Sequence, residues 1–376
     1  MRVAVVGAGP AGSLLAWRLA RDGASATLFD ASHPREKPCG GGLTAKALPL
    51  LPPAPPGDPL PVRSIEACRF ESGLGEQVDM ALARPVAIGA RREVDAWLLR
   101  RAVDAGAVHV SERVTEVGAT GGLRTSAGRV ERFDLIVGAD GAGSLVRRTF
   151  AGATPPARLT MAAGWFAPGT ATMTVRFLPG LAGYAWLFPR PDHVGVGICA
   201  PLQSQPTREL IARLRDLVAR AYPALADEDA QPYAHTIPSP SADPASILEI
   251  AGEGWALVGD AAALADPITG EGIYYALRSA SLLADALREG AVSRYPERVL
   301  EEFGRELLTA ARLHARFYAP GFTRRMIRYA SRSAAVRTIL GELVLGDQGY
   351  TGLKRRLLRA TPRFALEYAS SLFQAA

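Results

Sequence analysis

The feature that most constrains the fold of this chain is a glycine pattern close to its first residue. The segment from Gly7 to Gly12 reads GAGPAG and lies between the apolar run Val3 to Val6 and a helix-forming stretch from Ser13 to Arg21. Glycines at such a strand-to-helix junction are typical of folds that place a pyrophosphate at a helix N-terminus. The chain is therefore predicted to begin with a dinucleotide-binding βαβ unit.

Each position of this pattern has a predicted role. Gly7 makes the tight turn, Gly9 lets the backbone approach the phosphates, and Gly12 allows close packing of the helix. Ala11 lies in the same turn and belongs to the predicted cofactor site. Asp30 ends the second predicted strand, where a carboxylate bonds a ribose hydroxyl. This pattern by itself does not distinguish NAD from FAD.

Two downstream segments carry further glycines and carboxylates. FDLIVGADGAGSLVR spans residues 133–147, and WALVGDAAALADPITGEG spans residues 255–272. In the second segment a short apolar strand ends at Gly259 and Asp260, and strand ends of this kind are where open α/β sheets bind ligands. A helix predicted from Ile273 to Leu287 follows, and its N-terminus would stabilise negative charge on a bound cofactor.

These two segments resemble conserved stretches of flavoproteins related to p-hydroxybenzoate hydroxylase. The resemblance implies that Asp260 lies on the ribitol or pyrophosphate side of FAD and that the following loop runs beside the isoalloxazine. It also implies that an arginine at the start of the helix predicted over 90–105, Arg91 or Arg92, faces the FAD phosphates. The cofactor residues implied in the two segments are Asp140, Gly141, Gly259, Asp260, Pro267, Gly270, Gly272 and Ile273.

Two more stretches resemble the geranylgeranyl reductase family of FAD-dependent prenyl reductases. They are KPCGGGLT, from Lys37 to Thr44, and GYAWLFP, from Gly183 to Pro189. Together with the earlier segments, the resemblance covers residues 1–290 in order, although Leu181 stands where the family often has proline. It implies reduction of isolated double bonds in a polyprenyl lipid, precursor diphosphate or quinone tail. NAD(P)H or a ferredoxin-like donor would reduce the FAD.

The same resemblance places Cys39 at the edge of the flavin. The glycines beside it would let the backbone pass close to the ring system, and the thiol would shape the site, tune the flavin or donate a proton. These glycines are Gly40, Gly41 and Gly42. Cys39, Cys68 and Cys199 form no CxxC pair, so neither a disulfide framework nor a zinc site is expected. No metal is predicted.

An aromatic row is predicted on one strand of the substrate region. Tyr184, Trp186 and Phe188 alternate, so their side chains share a face and would line an isoprenoid chain. Trp165 and Phe166 would extend this wall. Tyr184 and Trp186, with Cys39, are the candidate catalytic residues.

Other reactions are compatible with the same fold. An FAD monooxygenase acting on an aromatic or specialised metabolite is the main alternative, and a flavin-bound sensor without turnover is a third. GWFAP, from Gly164 to Pro168, resembles the start of a flavin-dependent halogenase signature, but its second Trp and its Ile are absent. The segment Gly195 to Ala200 also matches the loose dinucleotide pattern, but prolines follow it, so it is interpreted as a strand and not as an NAD(P)H site.

The order of predicted elements indicates an α/β chain with three regions. A Rossmann-type FAD-binding domain of the p-hydroxybenzoate hydroxylase kind is predicted over 1–61, 88–150 and 245–292, and an antiparallel-sheet substrate domain over 62–87 and 151–244. Residues 293–376 are predicted to form a C-terminal helical region. Strands predicted over 108–117, 123–126 and 134–137 are expected to return to the first sheet.

Charge is concentrated toward the C-terminus. The whole chain carries +6, yet residues 305–363 contain thirteen basic and three acidic residues. Solvated helix faces and a peripheral contact with anionic lipid both fit this pattern, whereas nucleic acid is disfavoured because no recognition motif is present. The lipid contact is suggested by apolar residues between the arginines, namely Phe317, Phe322, Met326, Ile327, Ile339, Leu343 and Leu357.

Composition and the first residues also predict where the protein works. With 376 residues, of which 48% are hydrophobic and 21% charged, the chain can bury a large core. The first strand begins at Arg2, so no cleaved leader is expected, and the longest uncharged run contains glycine and proline. A cytoplasmic protein, peripheral to the membrane at most, is therefore predicted.

Overall fold

A computed structural model describes residues 1–227, 229–319, 321–347, 349–353, 355, 356 and 359. The strands are β1 (Arg2–Val6), β2 (Ser25–Phe29), β3 (Gly42–Leu43), β4 (Arg63–Ser72), β5 (Gln77–Ile88), β6 (Val108–Val110), β7 (Val114–Val117), β8 (Gly122–Thr125), β9 (Val130–Arg132), β10 (Leu135–Gly138), β11 (Leu159–Pro168), β12 (Thr174–Phe177), β13 (Tyr184–Pro189), β14 (His193–Pro201), β15 (Tyr233–Pro238), β16 (Ala251–Gly252) and β17 (Trp255–Leu257). The α-helices are α1 (Pro10–Arg21), α2 (Arg91–Asp104), α3 (Leu145–Phe150), α4 (Thr207–Ala221), α5 (Ala245–Leu248), α6 (Ile273–Arg288), α7 (Tyr295–Val299), α8 (Arg305–Phe317), α9 (Phe322–Arg332) and α10 (Ala334–Leu345).

The first sheet has the N-terminal βαβ unit at its centre. Its strand order is β16-β17-β10-β1-β2-β6, in which β16 alone runs antiparallel to its neighbour. Val3 and Val5 are fully buried, since helices cover the parallel strands and an apolar run suits a strand buried on both faces. Helix α1 packs against α2 and α6 and so brings the N-terminal glycine turn next to the segment that precedes α6.

The prediction for the strands that follow α2 is partly wrong. Strands β6 and β10 join the first sheet, but β7, β8 and β9 form a separate antiparallel sheet. In this small sheet Val114 and Leu123 are buried while Glu116 and Arg124 are exposed. Strands with one apolar face suit a sheet that is covered on one side, whereas the central parallel sheet requires both faces to be apolar.

The second sheet has eight strands in the order β15-β11-β14-β13-β12-β4-β5-β3. It is antiparallel except where β12 runs parallel to β4. Helix α4 covers one face, where Trp165 packs with Leu210 and Leu214. Trp165 therefore does not extend the aromatic wall, because it projects from the face opposite to Trp186. Gly195 to Ala200 lie within β14, which confirms that this glycine segment is a strand.

The last two helices pack over the second sheet, whereas α7 and the start of α8 belong to the core around the first sheet. Helices α9 and α10 contact β5, and α9 also contacts β4. The division of the chain into the domain ranges given above stays a prediction.

The apolar residues on which the predicted lipid contact rests mostly face inward. Ile327 and Ile339 are buried. Phe317, Met326 and Leu343 line an internal cavity. Of the named residues Phe322 is exposed, at 40%, and Leu357, like Lys354, lies outside the described residues. The five inward-facing side chains help to form the protein interior, and the contact with anionic lipid stays a prediction. Within the described ranges, no helix is both long and apolar enough to cross a bilayer.

Candidate active site

One cavity brings most of the predicted site residues together. Its volume is about 1010 Å³, at the upper end for a site that holds one small molecule, and it is lined by both large sheets and the C-terminal helices. The predicted site residues in its lining are Gly7, Gly9, Ala11, Asp30, Cys39, Gly40, Gly41, Gly42, Arg91, Asp140, Gly141, Tyr184, Trp186, Asp260, Gly270, Gly272 and Ile273. The lining is polar and rich in glycine at one end and apolar at the other.

Four predicted cofactor residues do not line this cavity. The side chain of Arg92 is 64% exposed, because neighbouring helix positions point about 100° apart and Arg91 takes the inward direction. Gly12 and Gly259 act in packing, since a Cβ on Gly259 would lie 3.3 Å from the Cβ of Ala11. Pro267 also lies outside the cavity lining.

Two arginines face the glycine turn. A Cβ on Gly9 would lie 3.8 Å from Nη2 of Arg35 and 3.9 Å from Nη2 of Arg91. Arg91 is buried and forms two hydrogen bonds with Asp95, of 2.8 and 2.7 Å. Burial alone would lower the pKa of Arg91, but the carboxylate of Asp95 raises it above its ordinary value. Paired guanidiniums beside bare backbone suit a pyrophosphate. Arg35 was missed, since it follows no sequence period.

Two carboxylates flank the same end of the cavity. Asp30 accepts hydrogen bonds from the backbone N–H of Ala8 (2.9 Å) and of Ser32 (2.8 Å). Burial opposes ionisation, but the hydrogen bond from the Ser32 hydroxyl, together with these two backbone bonds, holds the pKa of Asp30 below its ordinary value. Asp140 bonds the N–H of Leu145 through Oδ2 (2.7 Å), and its buried Oδ1 has no partner among the described residues. An unpaired buried oxygen indicates a position where a ligand or a water is bound.

A lysine, an aspartate and a histidine meet in the lining of the cavity. Nζ of Lys37 lies 2.8 Å from Oδ2 of Asp260, and burial of the carboxyl is outweighed by this lysine, which lowers the pKa of Asp260. His235 lines the same region, and its buried Nε2 has no partner within the described part of the chain. None of the sequence motifs described above includes His235. The alternation with Ile237 on β15 is the signal that places it on the cavity face.

His235 is expected to make stability depend on acidity. Burial, with the positive charge of Lys37, lowers the pKa of His235 to about 4, against about 6.5 in an unfolded chain. Between these values the unfolded chain binds a proton that the folded protein does not, so stability falls as the pH drops from 6.5 toward 4, by up to about 1.4 kcal/mol per pH unit. His235→Gln should therefore lose less stability between pH 7 and pH 5 in urea unfolding. Equal losses in both proteins would contradict this role.

Two glycines in the loop after Lys37 pack closely against other parts of the protein. A Cβ on Gly40 would lie 2.5 Å from the ring of Phe188, and one on Gly41, whose φ is +78°, would lie 2.1 Å from the carbonyl oxygen of Gly89. Both positions therefore require glycine for contacts within the protein, which differs from the predicted reason, room for a flavin ring. The thiol of Cys39 accepts a hydrogen bond from the N–H of Gly41 at 3.3 Å.

A buried arginine holds this loop in place. Arg190 is fully buried and donates to the carbonyl oxygen of Cys39 (2.7 Å) and to Oε1 of Glu36 (3.0 Å). Glu36 in turn accepts the first N–H groups of α2, from Arg91 (3.1 Å) and Arg92 (3.2 Å). One network thus connects the second sheet, the Cys39 loop and the helix that carries Arg91.

The apolar end of the cavity is built on the second sheet. Trp186 covers Gly197, where a Cβ would lie 2.0 Å from the indole ring, and the ring of Tyr184 stands 6.0 Å away at 61°. The hydroxyl of Tyr184 donates to the carbonyl oxygen of Thr269, and burial raises the pKa of Tyr184 well above its ordinary value. Other apolar side chains in this lining are Phe70, Val86, Met173, Val175, Phe177, Phe188, Ile237, Phe317, Met326, Leu340, Leu343 and Val344.

The residues at the polar end fit FAD. Gly9 leaves the backbone open in front of two guanidiniums, and Asp140 and His235 each present a polar atom that lacks a partner within the described ranges. The Asp260 carboxylate is held beside Gly272, where α6 begins. This set offers donors to a pyrophosphate and acceptors to sugar hydroxyls.

Comparison with known proteins agrees with this geometry. Residues 5–43 match the model of the NAD(P)-binding Rossmann-like domain. Menaquinone reductase of Mycolicibacterium smegmatis is 30% identical, with 92% of each chain covered. Digeranylgeranylglycerophospholipid reductase 2 of Methanopyrus kandleri is 31% identical, covering 81% of this chain and 83% of its own. A geranylgeranyl bacteriochlorophyll reductase-like protein of Thermoplasma acidophilum superposes with a TM-score of 0.75 at 20% identity, over 95% of this chain and 98% of that one.

Fold and site together define an FAD-dependent oxidoreductase, in an architecture that monooxygenases and halogenases also use. The chain belongs to the geranylgeranyl reductase family of these enzymes. The resemblance inferred from the CGGG and YAWLFP segments is thereby confirmed, as is the predicted class of fold.

Proposed function

We propose that this protein saturates carbon–carbon double bonds of a prenyl chain by hydride transfer from reduced FAD. The observation that carries the proposal is the division of a single cavity. The polar end, with Gly9, Arg91 and Asp260, fits the cofactor, and it continues into an apolar compartment lined by Trp186 and Phe177. An apolar compartment that opens on the flavin end suits a long hydrocarbon substrate.

Each part of the cavity has a task in this reaction. When bound, reduced FAD supplies a hydride to one alkene carbon, and a proton must reach the other carbon. An unactivated alkene is a poor hydride acceptor, so the walls must hold it in position and exclude water. Trp186 and Tyr184 would form that wall. Proton donation is one of the three roles predicted for Cys39, and we propose it here because the Tyr184 hydroxyl is already bonded to the carbonyl oxygen of Thr269.

The substrate class follows from the relatives and the lining. The two relatives carry the names of a menaquinone reductase and a digeranylgeranylglycerophospholipid reductase, so a prenylated quinone or an isoprenoid lipid is proposed. NAD(P)H or a ferredoxin-like protein would supply the electrons at the flavin itself, because the second glycine segment of the chain is strand β14.

Product analysis tests this function. The protein is reduced with dithionite under nitrogen and incubated with a digeranylgeranyl glycerolipid, or with a menaquinone whose ring is reoxidised before analysis, and the mass of the extracted lipid is measured by mass spectrometry. A gain of two hydrogen atoms for each reduced bond is expected. Lipid that is unchanged under nitrogen but gains oxygen in air would overturn the proposal in favour of a monooxygenase.

Leu343 of α10 provides a prediction about the apolar compartment. Its side chain lines the cavity, whereas Thr338, five residues earlier on the same helix, is exposed. Leu343→Trp adds a ring to the compartment and is expected to raise the KM for a prenyl substrate about tenfold, with the FAD content unchanged. Thr338→Trp is the matched control and should keep the wild-type KM. Equal KM values for the two variants would mean that the prenyl chain of the substrate does not occupy the apolar end of the cavity.

A further inference from the structure

The loop from Asp266 to Gly272, which precedes α6, is held by tyrosines from three separate parts of the chain. Tyr184 of β13 donates to the carbonyl oxygen of Thr269, and Tyr318, directly after α8, donates to that of Ile268 at 2.8 Å. Tyr350 donates to Oδ1 of Asp266 at 3.2 Å. Two of these tyrosines, Tyr318 and Tyr350, come from the region after α7, far from the flavin segments in sequence.

The loop satisfies most of its other polar groups by itself. Oδ1 of Asp266 accepts the N–H groups of Ile268 (2.7 Å) and Thr269 (2.9 Å), and the carbonyl oxygen of Asp266 accepts the N–H of Gly270 (2.9 Å). The carbonyl oxygens of Ile268 and Thr269 are the groups that the tyrosines bind. A peptide group is planar, so a hydroxyl that holds its carbonyl oxygen also fixes the orientation of its plane. The two hydroxyls hold two consecutive peptide planes and thereby set the orientation of the loop.

This loop borders the place where the flavin ring and the substrate would meet. Gly270, Gly272 and Thr269 line the cavity, and so does the ring of Tyr318. The Tyr318 ring lies 6.3 Å from that of Phe177, within the apolar lining. One side chain therefore contacts both the substrate compartment and the backbone beside the flavin.

We propose that Tyr318 is a positioning residue, which through its hydroxyl bond to Ile268 ties the loop beside the flavin to the C-terminal helices. The inference rests on the proposed function for the identity of the substrate but not for the contact itself. Without the hydroxyl, the carbonyl oxygen of Ile268 loses its partner and the loop samples more orientations. Chemistry then slows, while binding of the prenyl chain changes little, because the ring remains.

Two matched substitutions distinguish an effect on the loop from a general loss of stability. Tyr318→Phe removes the hydroxyl beside the loop. Tyr295→Phe removes the same kind of bond elsewhere, since the buried Tyr295 donates to the carbonyl oxygen of Leu257 at 2.9 Å and lies outside the cavity lining. Both variants keep the ring, and both are expected to lose comparable stability.

Backbone amide exchange of the full-length protein is the first readout. Tyr318→Phe is expected to speed exchange of the peptide that contains Ile268 to Gly270 about tenfold, while Tyr295→Phe leaves this peptide at the wild-type rate. With a prenyl substrate, Tyr318→Phe should also lower kcat about tenfold with KM within about twofold. A double variant with Tyr184→Phe should show non-additive effects, because both hydroxyls hold one loop.

Two outcomes would overturn the inference: unchanged exchange at residues 268–270 in Tyr318→Phe, or equal acceleration there in Tyr295→Phe. Should Tyr318→Phe fail to fold, Tyr318→His, whose shorter side chain withdraws the donor from the carbonyl oxygen of Ile268, provides the same comparison of exchange rates. If no prenyl compound is reduced by the wild-type protein but the exchange result holds, the proposed function fails and the positioning role stands.

Discussion

Gly12→Ala is expected to weaken FAD binding about 100-fold. A Cβ at this position would lie 1.9 Å from the carbonyl oxygen of Gly7 and 3.1 Å from the Cβ of Ala139. The first of these is a backbone atom of the glycine turn, so either the turn or the start of α1 must move. Because Gly7 itself leaves no room beside Ala139, with a Cβ there only 2.4 Å from the carbonyl oxygen of Ala139, the displacement falls on the phosphate-binding backbone.

Gly12→Ala is expected to lower the free energy of unfolding by about 3 kcal/mol. The turn relieves this strain by opening, and FAD binding must close it again, so the FAD affinity should fall about 100-fold. Gly122→Ala is the control, because a Cβ on Gly122, in β8, meets no atom within 4 Å. Flavin content after purification and FAD titration of the stripped proteins measure the effect. Wild-type affinity in Gly12→Ala would show that the turn does not hold the cofactor.

Arg190→Met is expected to loosen the Cys39 loop and to destabilise the protein by about 3 kcal/mol. The substitution preserves much of the side-chain volume but leaves the carbonyl oxygen of Cys39 without its 2.7 Å donor and Glu36 without its 3.0 Å partner. The estimate is at the low end for a buried pair, because the Glu36 side chain is 26% exposed and keeps its bonds to the start of α2.

Arg69→Met is the matched control for this loss. Arg69 forms a two-bond pair with Asp79 on the second sheet, but these side chains are 33% and 59% exposed, so the cost should stay below about 1 kcal/mol. Urea unfolding compares the two variants. Alkylation of Cys39 should accelerate in Arg190→Met alone, with the buried Cys68 and Cys199 as internal references. Equal free energies of unfolding and equal rates of Cys39 alkylation in the two variants would contradict the proposed anchoring role of Arg190.

The parts of the fold that were predicted from sequence are those whose structure is determined by residues close together in the chain. The glycine turn, α1 and the strand ending before Asp30 follow from a spacing of a few residues, and α2 was predicted within one residue of its bounds. The segment from Gly259 to Gly272 was recognised through its resemblance to a stretch of related flavoproteins. The positive φ angles at Gly259 and Gly270 are conformations that glycine adopts readily, so the sequence itself marks these two positions.

The residues that sequence reasoning missed depend on contacts between distant parts of the chain. Lys37 reaches Asp260 across 223 positions, and Arg190 reaches Glu36 across 154. Alternation places His235 on the same face of β15 as Ile237, but only the folded chain shows that this face borders the cavity. Tyr318 is bonded to a loop from another region. No period or motif encodes such pairs, since they arise only when the two sheets and the C-terminal helices are packed together.

The most direct test of the central claim is reoxidation of the reduced flavin by an alkene under nitrogen. A digeranylgeranyl glycerolipid is the suitable oxidant, because a quinone ring would accept the electrons itself, and the same lipid with saturated chains is the control. We predict that the unsaturated lipid restores the absorbance of oxidised flavin within a single turnover and that the saturated lipid does not. Flavin that stays reduced with both lipids would contradict the assignment of this protein as a prenyl reductase.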